Sequence, residues 1–203
     1  AEGPTIQRAH DRALKNDVSL KMIFQLVSEF RKSDKETPIV LMGYLNTFIS
    51  HIDLVQSTQE DGIDSILVVD IPGELNLHDY GIDNPNINTI SLISPTTKDN
   101  RIELIAKNST GFIYYVNLRG VTGSSNLNLD EIKNNIGKIK KHSDLPVMAG
   151  FGIKTADDAK ILAESSEGIV IGSSIVEMIN EESKSKEFDR ISIYLKEIKA
   201  AIS

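Results

Sequence analysis

The sequence predicts an α/β fold of the (β/α)8 type, a TIM barrel, with about six strand–helix units represented among the 203 residues. Three observations predict it: apolar runs rich in Val and Ile, helical patterns between them, and glycines directly after the later runs. Most runs are almost continuously apolar, which is typical of parallel strands covered on both faces. Their spacing of roughly 22 to 35 residues suits a strand and its crossover helix. The predicted strands are Pro38–Met42, Ser65–Ile71, Thr89–Ile93, Phe112–Val116, Pro146–Met148 and Gly168–Ile171.

Amphipathic helical patterns fill the intervals between these strands. Ser19 is a candidate N-cap for a helix whose apolar stripe consists of Ile23, Leu26, Val27 and Phe30. A terminal helix is predicted by apolar residues at alternating steps of three and four, namely Phe188, Ile191, Leu195, Ile198 and Ile202.

One further segment contains a helix-start signal, and another contains a turn signal that argues against a helix. Thr155 followed by Asp158 resembles a capping box, with Asp in place of the usual Glu, and it leads into the apolar pair Ile161-Leu162. The segment Leu75–Asn88 is the weakest helix candidate, because the turn signal Asn84-Pro85-Asn86 interrupts it.

The chain is expected to form one domain over residues 1–203, because it contains no linker, low-complexity tract or block of charge. A closed barrel of this kind needs eight units and typically about 250 residues. The sequence starts without Met, in a stretch that reads as a loop entering a helix, Gly3-Pro4-Thr5-Ile6-Gln7. We therefore expect about two units to be missing on the N-terminal side.

Composition excludes several classes of protein. The formal net charge of −7 and the sequence pI near 5.1 argue against nucleic acid as the main partner. The absence of cysteine excludes a disulfide framework, a thiolate zinc site and a cysteine nucleophile within this sequence. No run approaches the roughly 18 apolar residues that span a bilayer, and the first residues do not resemble a signal peptide. A cytoplasmic protein is the expectation.

Three glycine signatures follow apolar runs in the second half of the chain: Gly120-Val121-Thr122-Gly123, Gly150-Phe151-Gly152 and Gly172-Ser173-Ser174. Glycine lets backbone N–H groups approach a ligand closely, and a helix that starts there presents its positive end to an anion. Three such loops at one end of successive parallel strands predict a phosphate site on the barrel rim. Tight strand-to-helix turns without a ligand are the alternative.

Seven motifs, in order along the chain, resemble the tryptophan synthase alpha chain family. They are Gly3-Pro4-Thr5-Ile6-Gln7, Leu41-Met42-Gly43-Tyr44-Leu45-Asn46, Val68-Val69-Asp70-Ile71-Pro72, Ser94-Pro95-Thr96-Thr97, Gly120-Val121-Thr122-Gly123, Gly150-Phe151-Gly152-Ile153 and Gly172-Ser173-Ser174-Ile175-Val176. The similarity covers essentially the whole sequence. It implies a (β/α)8 barrel, of which this chain represents strands 3–8.

The resemblance also implies an activity and a partner. Family members are lyases of tryptophan biosynthesis that cleave indole-3-glycerol phosphate to indole and glyceraldehyde 3-phosphate. The alpha chain pairs with a beta chain in an alpha2-beta2 heterotetramer, and indole passes directly to it. Pyridoxal phosphate is expected in the beta chain, and no cofactor is expected in this chain.

Site residues follow from the resemblance. Glu2 stands where the family normally has the catalytic Asp of an Ala-Asp-Gly-Pro-Thr loop, and it is expected to accept the indole N–H proton. The family's second carboxylate has no counterpart within residues 1–203, so the chain alone is expected to be nearly inactive. The other implied residues are Ile6, Tyr44, Leu67, Tyr114, Thr122 and Phe151 for substrate, Gly123, Gly150, Gly152, Gly172 and Ser173 for phosphate, and Asn46 for the beta-chain interface.

The sequence departs from the family pattern at three places. Glu2 is one methylene longer than Asp, Thr47 stands where Pro is usual, and Asn117-Leu118-Arg119 replaces a Ser-x-Ser/Thr pattern. These departures leave two other functions open. One is a different phosphate-binding barrel enzyme, and the other is an alpha-like chain that binds ligand and regulates a beta chain.

Several residues keep a structural reading beside the functional one. Glu2 reads equally as a solvated loop carboxylate, Asp70 as a helix cap or a loop brace, and Tyr114 with Phe151 as core aromatics. The four histidines, which are His10, His51, His78 and His142, lack partners at ligand spacing and are predicted to be surface residues. No metal site is predicted.

Overall fold

The computed structural model describes residues 3–56, 62–116, 128–183 and 187–203. Six strands form a curled, wholly parallel sheet in which each strand pairs with the next along the chain. The strands are β1 (Val40–Gly43), β2 (Ser65–Val68), β3 (Asn88–Ile93), β4 (Ile113–Val116), β5 (Val147–Gly150) and β6 (Gly168–Ile169). The predicted strands and their consecutive parallel order are therefore confirmed.

The predicted strand ends are less accurate than the strands themselves. The run Ser65–Ile71 contributes a strand only as far as Val68, because Val69 and Asp70 enter a turn. The run Gly168–Ile171 contributes only two strand residues, Gly168 and Ile169. Apolar character continues past the last ladder hydrogen bond in both places, so composition alone overestimates strand length.

Nine α-helices lie in the described residues, together with one 3-10 helix at Leu77–Tyr80. The α-helices are α1 (Pro4–Lys15), α2 (Leu20–Arg31), α3 (Leu45–Ile49), α4 (Ile52–Gln56), α5 (Asp99–Asn108), α6 (Leu129–Lys140), α7 (Ala156–Ala163), α8 (Ser173–Glu182) and α9 (Asp189–Ile202). Among the described helices, none is both long and apolar enough to cross a membrane.

The two faces of the sheet differ in what covers them. One face packs against helices in two apolar clusters, one around Ile66 and Phe48 and the other around Ile113 and Tyr115. The strand register aligns a second row of residues across the opposite, concave face. That row runs through Met42, Leu67, Ile90, Leu92, Tyr114, Met148 and Gly168. Alternation along each strand thus separates core residues from residues that face the barrel interior.

Helix α2 begins as predicted but turns a different face inward. The Ser19 hydroxyl accepts a hydrogen bond from the Met22 N–H, which confirms the N-cap. The buried residues are Leu20, Phe24 and Val27, whereas Leu26 is 70% exposed. Phe30 is exposed as well. The predicted stripe is therefore wrong at Leu26 and Phe30. It is correct at Val27 and at Ile23, which is partly buried and packs against the core. Apolar residues lie on more than one side of α2, so the sequence pattern is compatible with two different buried faces. Packing against the rest of the fold determines which face is buried.

Helix α9 shows the same difference between pattern and packing. Its buried residues are Tyr194 and Ile198, whereas Phe188, Leu195 and Ile202 are exposed. The helix is confirmed, and the predicted apolar stripe is wrong at those three positions. Because α9 packs against both α7 and α8, the side of α9 that is buried is rotated away from the line of apolar residues spaced three and four apart.

The capping box at the start of α7 is confirmed. The Thr155 hydroxyl accepts from the Asp158 N–H at 3.1 Å, and Asp158 Oδ2 accepts from the Thr155 N–H at 3.0 Å and the Lys154 N–H at 3.1 Å. Burial acts to raise the pKa of Asp158, but these hydrogen bonds outweigh it and hold the pKa below its ordinary value of 3.8. The carboxylate is therefore ionised at neutral pH and fixes the chain direction where α7 begins.

Substitution Asp158→Ala is expected to lower the free energy of unfolding by about 1 kcal/mol at pH 7, because a reciprocal cap is lost. The folded pKa lies below the unfolded pKa, so the contribution of Asp158 is present above the unfolded value and disappears as the pH falls through the folded value. Urea unfolding of both proteins between pH 7 and pH 3 measures this. The difference should shrink toward pH 3, and Asp157→Ala, in the same first turn, is the matched control. A difference that stays constant with pH would contradict the assignment.

Candidate active site

The fold brings the loops with predicted site residues to one rim. Tyr44 follows β1, Asp70 follows β2, Gly152 follows β5 and Gly172 follows β6. All six strands are parallel, so their carboxyl ends lie at the same edge of the sheet. In barrels of this type, that edge carries the ligand-binding loops.

The start of α8 provides a cluster of backbone donors at this rim. Gly172 is the N-cap, and the first intrahelical bond runs from the Val176 N–H to the Gly172 carbonyl oxygen at 3.1 Å. The N–H groups of Ser173 and the next two residues precede that bond, so they have no partner within the helix. The first turn of this helix, which is wholly described, contains no acidic side chain that would neutralise its positive end.

A side-chain hydrogen bond connects this helix to the loop after β5. Ser174 Oγ donates to the Ile153 carbonyl oxygen at 2.7 Å, across two different strand–helix units. The bond holds the Gly172 turn beside the Gly152 turn. Sequence reasoning did not single out Ser174, and the only signal was a second serine after the glycine.

The three glycines at this end of the sheet are present for different reasons. A Cβ at Gly150 would lie 2.5 Å from a ring carbon of Tyr114, so packing requires glycine there. Gly152 has a φ of 67°, a left-handed conformation that favours glycine. Gly172 has a φ of −110°, and a Cβ there would meet no described atom within 4 Å. Packing within the described residues does not require glycine at position 172, and its φ is not left-handed, but its ψ of −81° places the backbone outside the regular helix and strand regions.

The predicted aromatic residues occupy different environments. The Tyr114 ring lies over Gly150, on the concave face of the sheet. Burial raises the pKa of Tyr114, so its phenol is neutral and can donate a hydrogen bond. Phe151 is 7% exposed, and its ring centroid lies 5.2 Å from that of Tyr115 in the core. The structure thus supports the core-aromatic reading for Phe151, whereas Tyr114 lies on the concave face.

The loops after β1 and β2 are joined by a carboxylate. Asp70 Oδ1 accepts from the Leu45 N–H at 2.7 Å, so Asp70 braces the loop that carries its neighbour Tyr44, the N-cap residue of α3. Tyr44 and Asn46 are exposed at this rim. Of the two readings of Asp70, the structure supports the loop brace.

The sequence matches the family model described as tryptophan synthase alpha chain over residues 1–203. The chain belongs to the tryptophan synthase alpha chain family. It is 44% identical over 183 residues to the tryptophan synthase alpha chain of Nitrosomonas europaea, a match that covers 88% of this chain and 66% of that relative. It is 39% identical over 210 residues to the alpha chain of Cupriavidus pinatubonensis, with 100% of this chain and 77% of that relative covered.

Solved structures of family members agree with the fold. The tryptophan synthase alpha2-beta2 complex of Pyrococcus furiosus matches with a TM-score of 0.87 at 32% identity, covering 98% of this chain and 82% of that one. The alpha subunit of Legionella pneumophila strain Paris matches with a TM-score of 0.84 at 35% identity, covering 99% and 76% respectively. The chain thus spans from 66% to 82% of the length of these four relatives.

Two remaining residues predicted from the tryptophan synthase alpha resemblance lie in contrasting places. Leu67 is 2% exposed and stands on the concave row of β2, between Met42 and Ile90. Ile6 is partly buried in the first turn of α1, and α1 packs along α8, where Arg8 and Glu177 form an ion pair at 3.3 Å.

Three residues predicted from the family resemblance lie outside the described residues: Glu2, Thr122 and Gly123. Their roles stay predictions. The four histidines lie in the described chain and are all exposed, as predicted. In that part of the chain, no group of three or more His, Asp or Glu side chains is arranged to hold a metal ion.

Proposed function

We propose that this chain is the alpha subunit of tryptophan synthase and cleaves indole-3-glycerol phosphate to indole and glyceraldehyde 3-phosphate. Membership of the family supports the reaction. The observation that carries the site assignment is the start of α8, where Gly172 leaves room for an anion beside the Gly152 turn. Tyr114 faces the same concave surface at the ends of the strands.

The phosphate of the substrate binds to backbone N–H groups of Gly152, Gly172 and Ser173, with Gly123 contributing from the loop after β4. The Ser173 hydroxyl adds a side-chain donor. The dipole of α8 stabilises the anion by about 0.3–1 kcal/mol, and by up to about 2 kcal/mol if the site is partly buried. Gly150 gives room to the Tyr114 ring, which lies against the indole together with Ile6, Tyr44 and Leu67, while Thr122 holds Glu2.

Cleavage follows a retro-aldol course with general acid–base catalysis. An acid protonates indole C3, and the Glu2 carboxylate accepts the proton of the ring nitrogen. The bond between C3 and the side chain then breaks, and its electron pair returns to the ring. The carbinol carbon becomes the aldehyde as its hydroxyl gives its proton to the conjugate base of the acid that protonated C3. Glu2 returns its proton to the ring nitrogen, so indole leaves neutral.

The six described strands are part of a closed eight-stranded barrel that forms one domain. The protein is located in the cytoplasm. Its open rim docks on a beta chain that carries pyridoxal phosphate, within an alpha2-beta2 heterotetramer. An open rim suits this docking because indole is apolar and leaves from the ligand-binding end of the strands. The complex of Pyrococcus furiosus, a solved relative, supports this arrangement.

An assay of indole release from indole-3-glycerol phosphate, with and without a beta chain, tests the proposed reaction. Release of indole that the beta chain accelerates is the expected result. A chain that binds the substrate and stimulates the beta chain without releasing indole would be a regulatory alpha-like protein. Neither release nor stimulation would favour another phosphate-binding barrel enzyme.

Substitution Asn46→Lys is expected to weaken beta-chain association by about tenfold or more, because a charge is then desolvated in the interface. Asn46 is exposed in α3, two residues after Tyr44 at the rim. Titration of the beta chain against each variant by isothermal calorimetry measures the effect, and affinity for inorganic phosphate should not change.

The matched control for this variant is Asn86→Lys. Asn86 is equally exposed but precedes β3, at the opposite end of the strands. The control should bind the beta chain like the parent. Loss of phosphate binding along with association in Asn46→Lys would show that Asn46 supports the fold and not the interface.

A further inference from the structure

Helices α1 and α8 connect the two ends of the sheet. In the described structure, β1 and β6 are the edge strands. Helix α1 precedes β1, helix α8 follows β6, and the two helices pack against each other. Their contact therefore brings the first strand–helix unit of the chain beside the last one.

An ion pair spans this contact. Arg8 Nη2 donates to Glu177 Oε2 at 3.3 Å, and to Thr5 Oγ1 in the first turn of α1 at 3.2 Å. One guanidinium nitrogen thus connects the beginning of α1 to α8. Within α8, Glu177 lies about one turn after Ser173, whose N–H belongs to the proposed phosphate site.

The beginning of α1 depends on this contact. No residue of α1, which is wholly described, is buried, and its N-cap Gly3 offers no side-chain hydrogen bond. Helix α8 is the described element against which α1 packs most extensively. The side chains of Arg8 and Glu177 are 57% and 40% exposed, so their ion pair contributes little to overall stability. Its effect is therefore expected in the placement of α1.

We propose that Arg8 and Glu177 are positioning residues that set the distance between the phosphate site on α8 and the catalytic carboxylate of Glu2. The inference rests on the proposed function, which assigns the proton transfer to Glu2. In the sequence, Glu2 lies one position before Gly3, the N-cap of α1. A shift of α1 along α8 therefore moves the chain next to Glu2 relative to the bound phosphate. Misplacement on the order of 1 Å can cost about 10²-fold in rate.

Loss of the ion pair should lower kcat and leave substrate binding intact. In Arg8→Ala and in Glu177→Ala, kcat for indole release should fall about two- to fivefold, because an exposed pair shifts the population of correctly placed helices only by its own small free energy. KM and the affinity for inorganic phosphate should not change, since the donors at the start of α8 stay in place. The unfolding midpoint should change little.

Steady-state kinetics with a beta chain, phosphate titration by isothermal calorimetry and thermal unfolding measure these quantities. The double variant Arg8→Ala/Glu177→Ala should be no slower than either single variant, because both remove the same pair. Exchange of the charges, Arg8→Glu with Glu177→Arg, should restore most of the lost rate. In about 1 M salt, which screens exposed charges, the rate of the parent should approach that of the variants.

A second measurement does not depend on turnover. Hydrogen exchange at the amides of α1 should be about two- to fivefold faster in Glu177→Ala than in the parent, because the helix is held less firmly. Glu103→Ala is the matched control for both measurements. It breaks an ion pair of similar exposure, 64% for Lys107 and 49% for Glu103, that lies within α5. Its kcat and its exchange in α1 should equal those of the parent.

Equal kcat in Glu177→Ala and the parent would overturn the inference while leaving the proposed function intact. Failure of the exchanged charges to restore the rate would also overturn it, because the side chains would then act separately. A rise in KM with unchanged kcat would place the effect on binding and contradict the role of the pair in placing Glu2. If the parent released no indole, the proposed function would be refuted, and the inference with it.

Discussion

Replacing Glu2 by glutamine is expected to lower kcat for indole release by about 10²- to 10⁴-fold, the range that a positioned general base contributes. The amide is nearly the same size as the carboxylate but cannot accept the proton of the indole nitrogen. Substrate binding should change little, because in the proposed site backbone N–H groups, and not Glu2, hold the phosphate. Steady-state kinetics with the chain and a beta chain measure both quantities.

The matched control is Glu2→Asp, which restores the carboxylate that the family normally has at this position. It should keep or raise kcat, because the shorter side chain places the carboxylate at the usual reach. A misplacement on the order of 1 Å can cost about 10²-fold in rate, so the two carboxylates should differ measurably. If Glu2→Gln turned over as fast as the parent, Glu2 would be a loop residue and the regulatory alternative would gain support.

Replacing Gly172 by alanine is expected to raise KM by about tenfold to 10²-fold with little loss of stability. A Cβ there meets no described atom within 4 Å and the φ of −110° is not left-handed, so alanine should cost less here than at a glycine with positive φ, even with the irregular ψ of −81°. The added methyl group stands where the anion approaches the first N–H groups of α8. A displacement of the phosphate by about 1 Å is enough for an effect of that size. Kinetics and thermal unfolding measure the two quantities separately.

Two other glycines are the controls for this variant. Gly152→Ala should lose both affinity and stability, because the φ of 67° disfavours a side chain by about 1–2 kcal/mol. Gly137→Ala, in the middle of α6 with open space around its Cα, should be stabilising by about 0.5–1 kcal/mol and catalytically neutral. Unchanged KM in Gly172→Ala would place the phosphate elsewhere on the rim.

Local patterns in the sequence were sufficient to predict the strands, their order and two of the helix starts. Each of the six Val- and Ile-rich runs forms a strand, because a run that is apolar on both sides is stable only between two covered faces. The caps at Ser19 and Thr155 depend on contacts within three residues, so they can be read from the chain directly. The glycine after β6 lies at the start of its own helix, so the anion site there could also be predicted from local sequence, and it stays a prediction.

Only the tertiary structure decided which side of each helix is buried and which polar groups meet. Leu26 and Leu195 fit apolar stripes but lie exposed, because α2 and α9 pack against neighbours that periodicity does not specify. The bond from Ser174 to Ile153 joins residues 21 positions apart, and Asp70 reaches Leu45 across 25 positions. Such contacts depend on how separate strand–helix units stack around the sheet. The physical reason is that local sequence sets the backbone of each unit, whereas side-chain partners at the rim are set by packing between units.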